Sequence, residues 1–247
     1  MARTDFTTPR LCLDDALSLG AVVALSGEAA NYLLNVLRLK TGARVLVFNG
    51  RDGEFAASLG PIEKKRAALT VIDKLREQET PPPVDYLFAP LKHARLDYMA
   101  QKAVEMGARS LRPVITRRTQ AARLNLERLE ANAREACEQC GVIWRPEIHR
   151  PRPLAEALAG WPAERLLVFC DEEAPTANPL AALATAPEAE GAGLLVGPEG
   201  GFEDEERALI GGLPRVLRLS LGPRILRADT AAVAALALVQ ARFGDWR

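Results

Sequence analysis

Hydrophobic and polar positions follow two different rules along this chain, and the change falls near residue 80. Before it, short runs with a period near two predominate. Arg44-Val45-Leu46-Val47-Phe48 predicts a strand, closed by turn signals at Asn49-Gly50 and Asp52-Gly53. Glu54–Leu59 and residues 67–72 predict two further strands. One segment breaks the pattern: residues 31–39 place Leu33, Leu34 and Leu37 at helical spacing, with Val36 as a further inward candidate. A small β-barrel with one helix, over residues 1–76, accounts for these elements.

Residues 77–83 read Glu77-Gln78-Glu79-Thr80-Pro81-Pro82-Pro83. Three consecutive prolines continue neither a helix nor an interior strand, so this is a stiff linker. From Val84 strands and helices alternate. Residues 86–91 predict a strand, then Leu96, Met99, Ala100, Ala103, Val104 and Gly107 recur at helical spacing. Residues 111–115 predict a strand and 124–140 a helix. Leu166–Cys170 and residues 194–196 are apolar without alternation, as strands of a parallel sheet are when both faces are covered. Residues 175–190 are alanine-rich and read as a variable excursion. Ala228–Phe243 closes the pattern as a helix that is apolar nearly all round, which predicts burial on several sides, one of them against a second subunit. The expected architecture over residues 84–247 is α/β with a parallel sheet.

Two of the apolar strands run into Gly-Pro loops that feed helices. The first reads Leu194-Leu195-Val196-Gly197-Pro198-Glu199-Gly200-Gly201-Phe202; the second is the Leu219-Ser220-Leu221-Gly222-Pro223-Arg224-Ile225-Leu226-Arg227 stretch. Ligands of α/β folds bind at the carboxyl ends of strands, so two such loops predict one shared pocket. A phosphate cradle needs free N–H groups and a positive field. The first loop instead leads into Glu203-Asp204-Glu205-Glu206, and neither G-x-x-x-x-G-K-[ST] nor G-x-G-x-x-G occurs. The expected ligand lacks phosphates and is neutral or cationic, which S-adenosylmethionine satisfies. The plainer alternative is that these glycines only make tight strand-to-helix turns.

Composition adds mainly exclusions. Of 247 residues, 48% are hydrophobic, enough for a real core. Lys+Arg and Asp+Glu both number 32, so a nucleic-acid surface would have to concentrate its basic residues on one face. Residues 1–10 are polar and predict no secretory signal, and the longest apolar run, 231–239, is too short to span a bilayer. A cytoplasmic location without membrane contact is expected. Cys137 and Cys140 form a C-x-x-C within a helical pattern. Cys12, Cys170, His93 and His149 supply no second pair at metal spacing, so no metal is expected.

Three blocks resemble the SPOUT superfamily of methyltransferases, and within it the RsmE family, which methylates N3 of a uridine in 16S ribosomal RNA. They are Gln101-Lys102-Ala103-Val104-Glu105-Met106-Gly107, then Glu135-Ala136-Cys137-Glu138-Gln139-Cys140, then residues 195–201 together with 219–232. Residues 32–42, with Val36-Leu37-Arg38, are similar to the family's PUA-like RNA-binding domain. The resemblance implies a deep trefoil knot, a homodimer with each cofactor site completed near the partner chain, and 16S rRNA within the small subunit as substrate. Three positions depart from the family's pattern: Asn31 stands for its histidine, Asp229 for its glutamate and Val142 for an arginine.

Methylating uracil N3 means removing a weakly acidic proton while stabilising the anion that remains. Arg227 is the candidate for stabilising the uracil or its phosphate. Asp229 would accept the proton or orient Arg227, with a helix cap as its plainer role, and Arg224 completes the catalytic set. Cofactor contacts fall to Val196, Gly197, Pro198, Glu199, Gly200, Gly201, Leu219, Ser220, Leu221, Gly222, Ile225 and Leu226, mostly through backbone, with residues 169–172 as a further contributor. RNA contacts fall to Arg3, Arg38, Lys40, Lys92, Arg95, Lys102, Arg117 and Arg118. For Lys102 an i,i+3 pair with Glu105 is the alternative. Two other activities fit the same residues: methylation of another RNA such as tRNA, or RNA binding without catalysis.

Overall fold

A computed structural model describes residues 5–62, 67–120, 123–176 and 178–246. The chain divides into two compact units, one comprising Met1–Thr80 with Arg134–Arg145, the other Pro81–Ala133 with Pro146–Arg247.

The first unit holds a curled five-stranded sheet of β1 (Arg10–Cys12), β2 (Val22–Ala24), β3 (Arg44–Phe48), β4 (Glu54–Leu59) and β5 (Ala68–Arg76), in the order β1-β3-β4-β5-β2. β3 and β4 have the predicted bounds. β5 runs on to Arg76 because its polar end still pairs with Glu54 and Phe55 through irregular register. Val45, Val47, Phe55, Ala57, Leu69 and Val71 point into one apolar core with Leu33 of the helix. That helix starts earlier than its periodicity predicts: α1 (Gly27–Asn31) is capped by Ser26, whose hydroxyl accepts from Ala29 N, and it continues as a π-helical turn over Tyr32–Val36. Leu33 is buried as expected. Val36 is 61% exposed, because the wider turn rotates it out of the inward stripe.

Arg134–Arg145 joins this unit through polar contacts. Glu138 accepts from Cys12 N at 2.9 Å, and Arg145 pairs with Asp14 at 2.6 Å. The buried Arg10–Glu54 pair at 2.7 Å lies beside them, with Arg10 Nη1 also reaching Glu138 O. Sequence periodicity assigns the segment simply to a helix and does not reveal this membership.

The second unit is an α/β layer structure. Its strands are β6 (Val84–Phe88), β7 (Ser110–Ile115), β8 (Glu147–Ile148), β9 (Arg152–Pro153), β10 (Leu166–Cys170), β11 (Ala192–Val196) and β12 (Val216–Leu219). They are all parallel, in the order β12-β10-β11-β6-β7-β8, with β9 also on β7. β6 and β11 are buried at every position, which explains their unbroken apolar runs. Its helices are α2 (His93–Glu105), α3 (Leu126–Cys140, shared between the units), α4 (Leu154–Ala159), α5 (Pro179–Ala184), α6 (Asp204–Gly211) and α7 (Ala228–Phe243). On one face Leu154 and Leu158 of α4 and Ile210 of α6 meet Leu87, Val114, Leu167, Phe169 and Leu195. On the other, α2 and α7 pack together and α7 lies on β6, β10 and β11. Gln240, fully buried in α7, donates to Met106 O at 2.7 Å and accepts from Asp245 N. Val233, Ala234, Ala237 and Leu238 form a stripe of α7 that this chain covers only in part. Among the described residues no helix is long and apolar enough to cross a membrane.

Candidate active site

Three neighbouring strands, β12, β10 and β11, release their carboxyl ends on the same edge of the sheet. The loops that follow enclose a cleft of about 360 Å³, lined by residues 170–172, 196–202, 219–222, 224–228 and Ala231. The walls are largely backbone and aliphatic carbon. Gly197 is needed for close approach: a Cβ there would lie 2.4 Å from the Phe202 ring, which is buried edge-on against Phe169 at 5.0 Å. Gly201, at φ 70, closes the turn by donating to Pro198 O at 2.9 Å. The chain then enters α6 through a reciprocal cap, in which Glu203 N donates to Glu206 Oε2 at 3.0 Å. The acidic run that argues against phosphate is therefore the start of a helix, where carboxylates suit the dipole.

The charges lining the cleft are already partnered on one side. Asp171, buried directly after β10, accepts from Arg207 and from Arg218 Nε at 2.6 Å, and its other neighbour is the N–H of Glu173 at 3.1 Å. Burial pushes its carboxyl up, but the hydrogen bonds from Arg218 and Arg207 outweigh that, so it is held below the ordinary carboxylate range. This ties the end of β10 to α6 and β12. The neighbouring Cys170 thiol is pushed up to about 12, first by burial and then by the charge of Asp171, so it stays protonated at neutral pH. Arg224 and Arg227 also line the cleft and are exposed, and Arg227 stands at the N-cap position of α7. With Asp171 offset by its own arginines, the lining that remains suits a ligand apolar in part and recognised through backbone. S-adenosylmethionine fits that description.

Comparison with known proteins covers the segments that carry these loops. Residues 78–240 match the RNA methyltransferase domain model, and residues 25–72 match the RNA methyltransferase PUA domain model. Ribosomal RNA small subunit methyltransferase E of Synechocystis is 32% identical, over 90% of this chain and 73% of its own length. The chain belongs to the ribosomal RNA small subunit methyltransferase E family. The Rickettsia conorii member is 29% identical over 94% of both chains. Among solved structures, the Neisseria gonorrhoeae ribosomal RNA small subunit methyltransferase E, bound to S-adenosylmethionine, superposes with a TM-score of 0.87 at 29% identity, covering 97% of this chain and 100% of the other. A Legionella pneumophila protein in complex with the same cofactor gives 0.83 at 31% identity, covering 96% and 99%.

Within this methyltransferase E family member, residues 196–201 and 219–222, Ile225 and Leu226 all line the cleft, as do Arg224 and Arg227. Of the further contributors 169–172, Cys170, Asp171 and Glu172 line it and Phe169 does not, being packed against Phe202. Ile225 stands 96% exposed at its mouth. Asp229 is not part of the lining. It is the second residue of α7 rather than its cap, and its Oδ1 accepts from Thr230 N at 3.0 Å. The basic candidates scatter. Arg38, in a left-handed conformation at φ 55, and Lys40 are exposed on the first unit. Lys92 is exposed just before α2, and Arg95 lies 3.8 Å from Glu199. Lys102 pairs with Glu105 at 2.6 Å and lies over the Tyr98 ring. Arg117 and Arg118 sit on the turn after β7, engaged with the first glycine loop and α6. Arg3 lies outside the described residues. Sequence reasoning missed Asp171, Arg207 and Arg218 as a group; the one available signal was an aspartate placed directly after an apolar strand.

Proposed function

We propose that this chain transfers the methyl group of S-adenosylmethionine to N3 of a uridine in 16S ribosomal RNA, in the cytoplasm and as a homodimer. The observation that carries the reading is the cleft at the ends of β10, β11 and β12, whose walls fall within the segment matching the RNA methyltransferase domain. When bound, the cofactor supplies an electrophilic methyl on its sulfonium. The chain's own residues supply the rest. Backbone around Gly197–Phe202 and Leu219–Gly222 orients the ligand, and the apolar wall restricts water. Arg227, with Arg224 beside it, offsets the negative charge that develops on uracil as N3 loses its proton. Asp229, two residues on from Arg227 in the first turn of α7, accepts that proton or orients the guanidinium. The exposed Arg38, Lys40 and Lys92 hold RNA phosphates, while sequence is read from an extruded base.

Homodimerisation is supported by the apolar stripe of α7 through Val233, Ala234, Ala237 and Leu238, which its own chain covers only in part. The strand order, in which β12 follows β11 in the chain yet pairs with β10, is compatible with a knotted C-terminal segment.

The deciding experiment gives labelled S-adenosylmethionine and this protein to small ribosomal subunits from cells lacking it, then maps the product by reverse transcription. A methyl on N3 blocks base pairing, so one new stop at a uridine with matching label is expected. Label without a stop means methylation away from the pairing edge and ends the N3 assignment. In the same assay Asp229→Asn separates proton transfer from helix-start chemistry: full turnover by that variant removes Asp229 from the proton path.

A further inference from the structure

β7, which like β6, β8 and β9 contributes nothing to the cleft lining, nonetheless ends in a turn that grips the cleft's first loop. Thr116 N donates to Thr119 Oγ1 at 2.9 Å, and Thr119 N returns to Thr116 O. This presents Arg117 and Arg118 toward α6 and the glycine loop. Arg117 N–H donates to Glu206 Oε1 at 2.9 Å, and the other oxygen of that buried carboxylate accepts from Glu203 N. Arg118 Nη1 donates to the Gly200 carbonyl at 2.7 Å, with its Nε 3.7 Å from Glu203. Its stem occupies the ground a side chain at position 200 would need: a Cβ on Gly200 would sit 3.2 Å from Arg118 Cδ.

We infer that Arg118 is a positioning residue for the cofactor loop, setting affinity for S-adenosylmethionine rather than contacting RNA. The reading of the ligand is that of the proposed function. The physical reason is preorganisation. Residues 197–201 contain three glycines, so the free loop has many conformations to lose when a ligand is bound. A charge-assisted bond to the central carbonyl, with Glu203 and Glu206 fixed from the same turn, removes much of that freedom in advance. The guanidinium of Arg118 is thus engaged by its own chain on the side that faces the loop.

Isothermal titration of S-adenosylmethionine into the full-length protein without RNA tests this directly. Arg118→Ala should weaken Kd about three- to tenfold, and in turnover it should raise KM for the cofactor more than it lowers kcat. Arg118→Lys should recover part of the loss. Gly200→Ala, which crowds the arginine stem from a surface position, should weaken binding in the wild-type background but add little to Arg118→Ala, since the two changes damage one contact. Wild-type binding with an unchanged Arg118→Ala Kd, and a raised KM for RNA instead, would overturn the inference and return Arg118 to the RNA surface. Absence of cofactor binding by the wild type would overturn the proposed function itself, and the inference with it.

Discussion

The two ends of the parallel sheet are both rich in charge, and only one of them is built to receive a ligand. At the amino end the carboxylate of Asp85, fully buried on β6, is surrounded: Arg109 Nε at 3.0 Å, Ser110 Oγ at 2.5 Å, Arg112 at 3.7 Å, and Arg165 in direct contact. Arg165 goes on to Pro83 O and Ala192 O and lies over the Trp161 ring. A Cβ on Gly193 would lie 2.3 Å from that ring. Charge and space are both consumed. At the carboxyl end Asp171 is similarly satisfied by Arg207 and Arg218, but the glycine loops around it leave a cavity walled by backbone, and Arg224 and Arg227 stay exposed. The lesson is that buried charge marks structure when its partners come from its own chain. A binding site is marked by capacity that the chain leaves unused.

Three substitutions sharpen that contrast. The largest effect is expected at the amino end: Asp85→Ala leaves three arginines without their counter-charge and should cost about 3–5 kcal/mol, read as a lower midpoint in urea. Cofactor affinity of the folded fraction should hardly change; a loss of less than about 1 kcal/mol would end the claim that this end is structural. Next is Asp171→Asn, at about 2 kcal/mol near neutral pH. Because the carboxyl of Asp171 is held below its usual range, its contribution is complete above the unfolded value, near pH ~4, and is lost as pH falls through the lower folded value. The stability gap between wild type and variant should therefore be wide at pH 7 and close in acid; a gap independent of pH would refute the assignment. The smallest effect on stability is expected for Gly197→Ala, about 1 kcal/mol from crowding Phe202, yet cofactor Kd should weaken by more than about tenfold because the loop must shift. Stability lost without any change in Kd would make Gly197 a turn residue only.

Much of this was legible in the sequence where one rule dominates. β3, β4, β10 and α7 have their predicted bounds because alternation, unbroken apolar runs and all-round hydrophobicity are local signals. β1 and β2 are three residues each and carry no period to detect. The early start of α1 rests on a serine cap, and the exposure of Val36 on a π turn, neither of which follows from apolar spacing. In the site, the glycine loops were legible because their residue types are restricted by backbone geometry. The grip of Arg118 on Gly200 and the pairing of Asp171 with Arg207 and Arg218 were not, since they join residues 82, 36 and 47 positions apart whose meeting only the sheet order creates. An arginine pair after an apolar strand reads equally well as an RNA contact.

The strand order has a kinetic consequence. None of the pairings in the second unit is a hairpin, so none can form by local zipping, and each strand must wait for a distant partner. β11 is extreme in this respect, with Ala192 paired to Val84, and β12 adds a detour: it skips β11, its predecessor in the chain, and must find the far side of β10. The site where the three loops meet cannot exist until that last pairing is made. Renatured protein should regain helical signal well before it regains the ability to hold a ligand, and a chaperone that shelters the waiting edge of β10 would hasten the second event without altering the first.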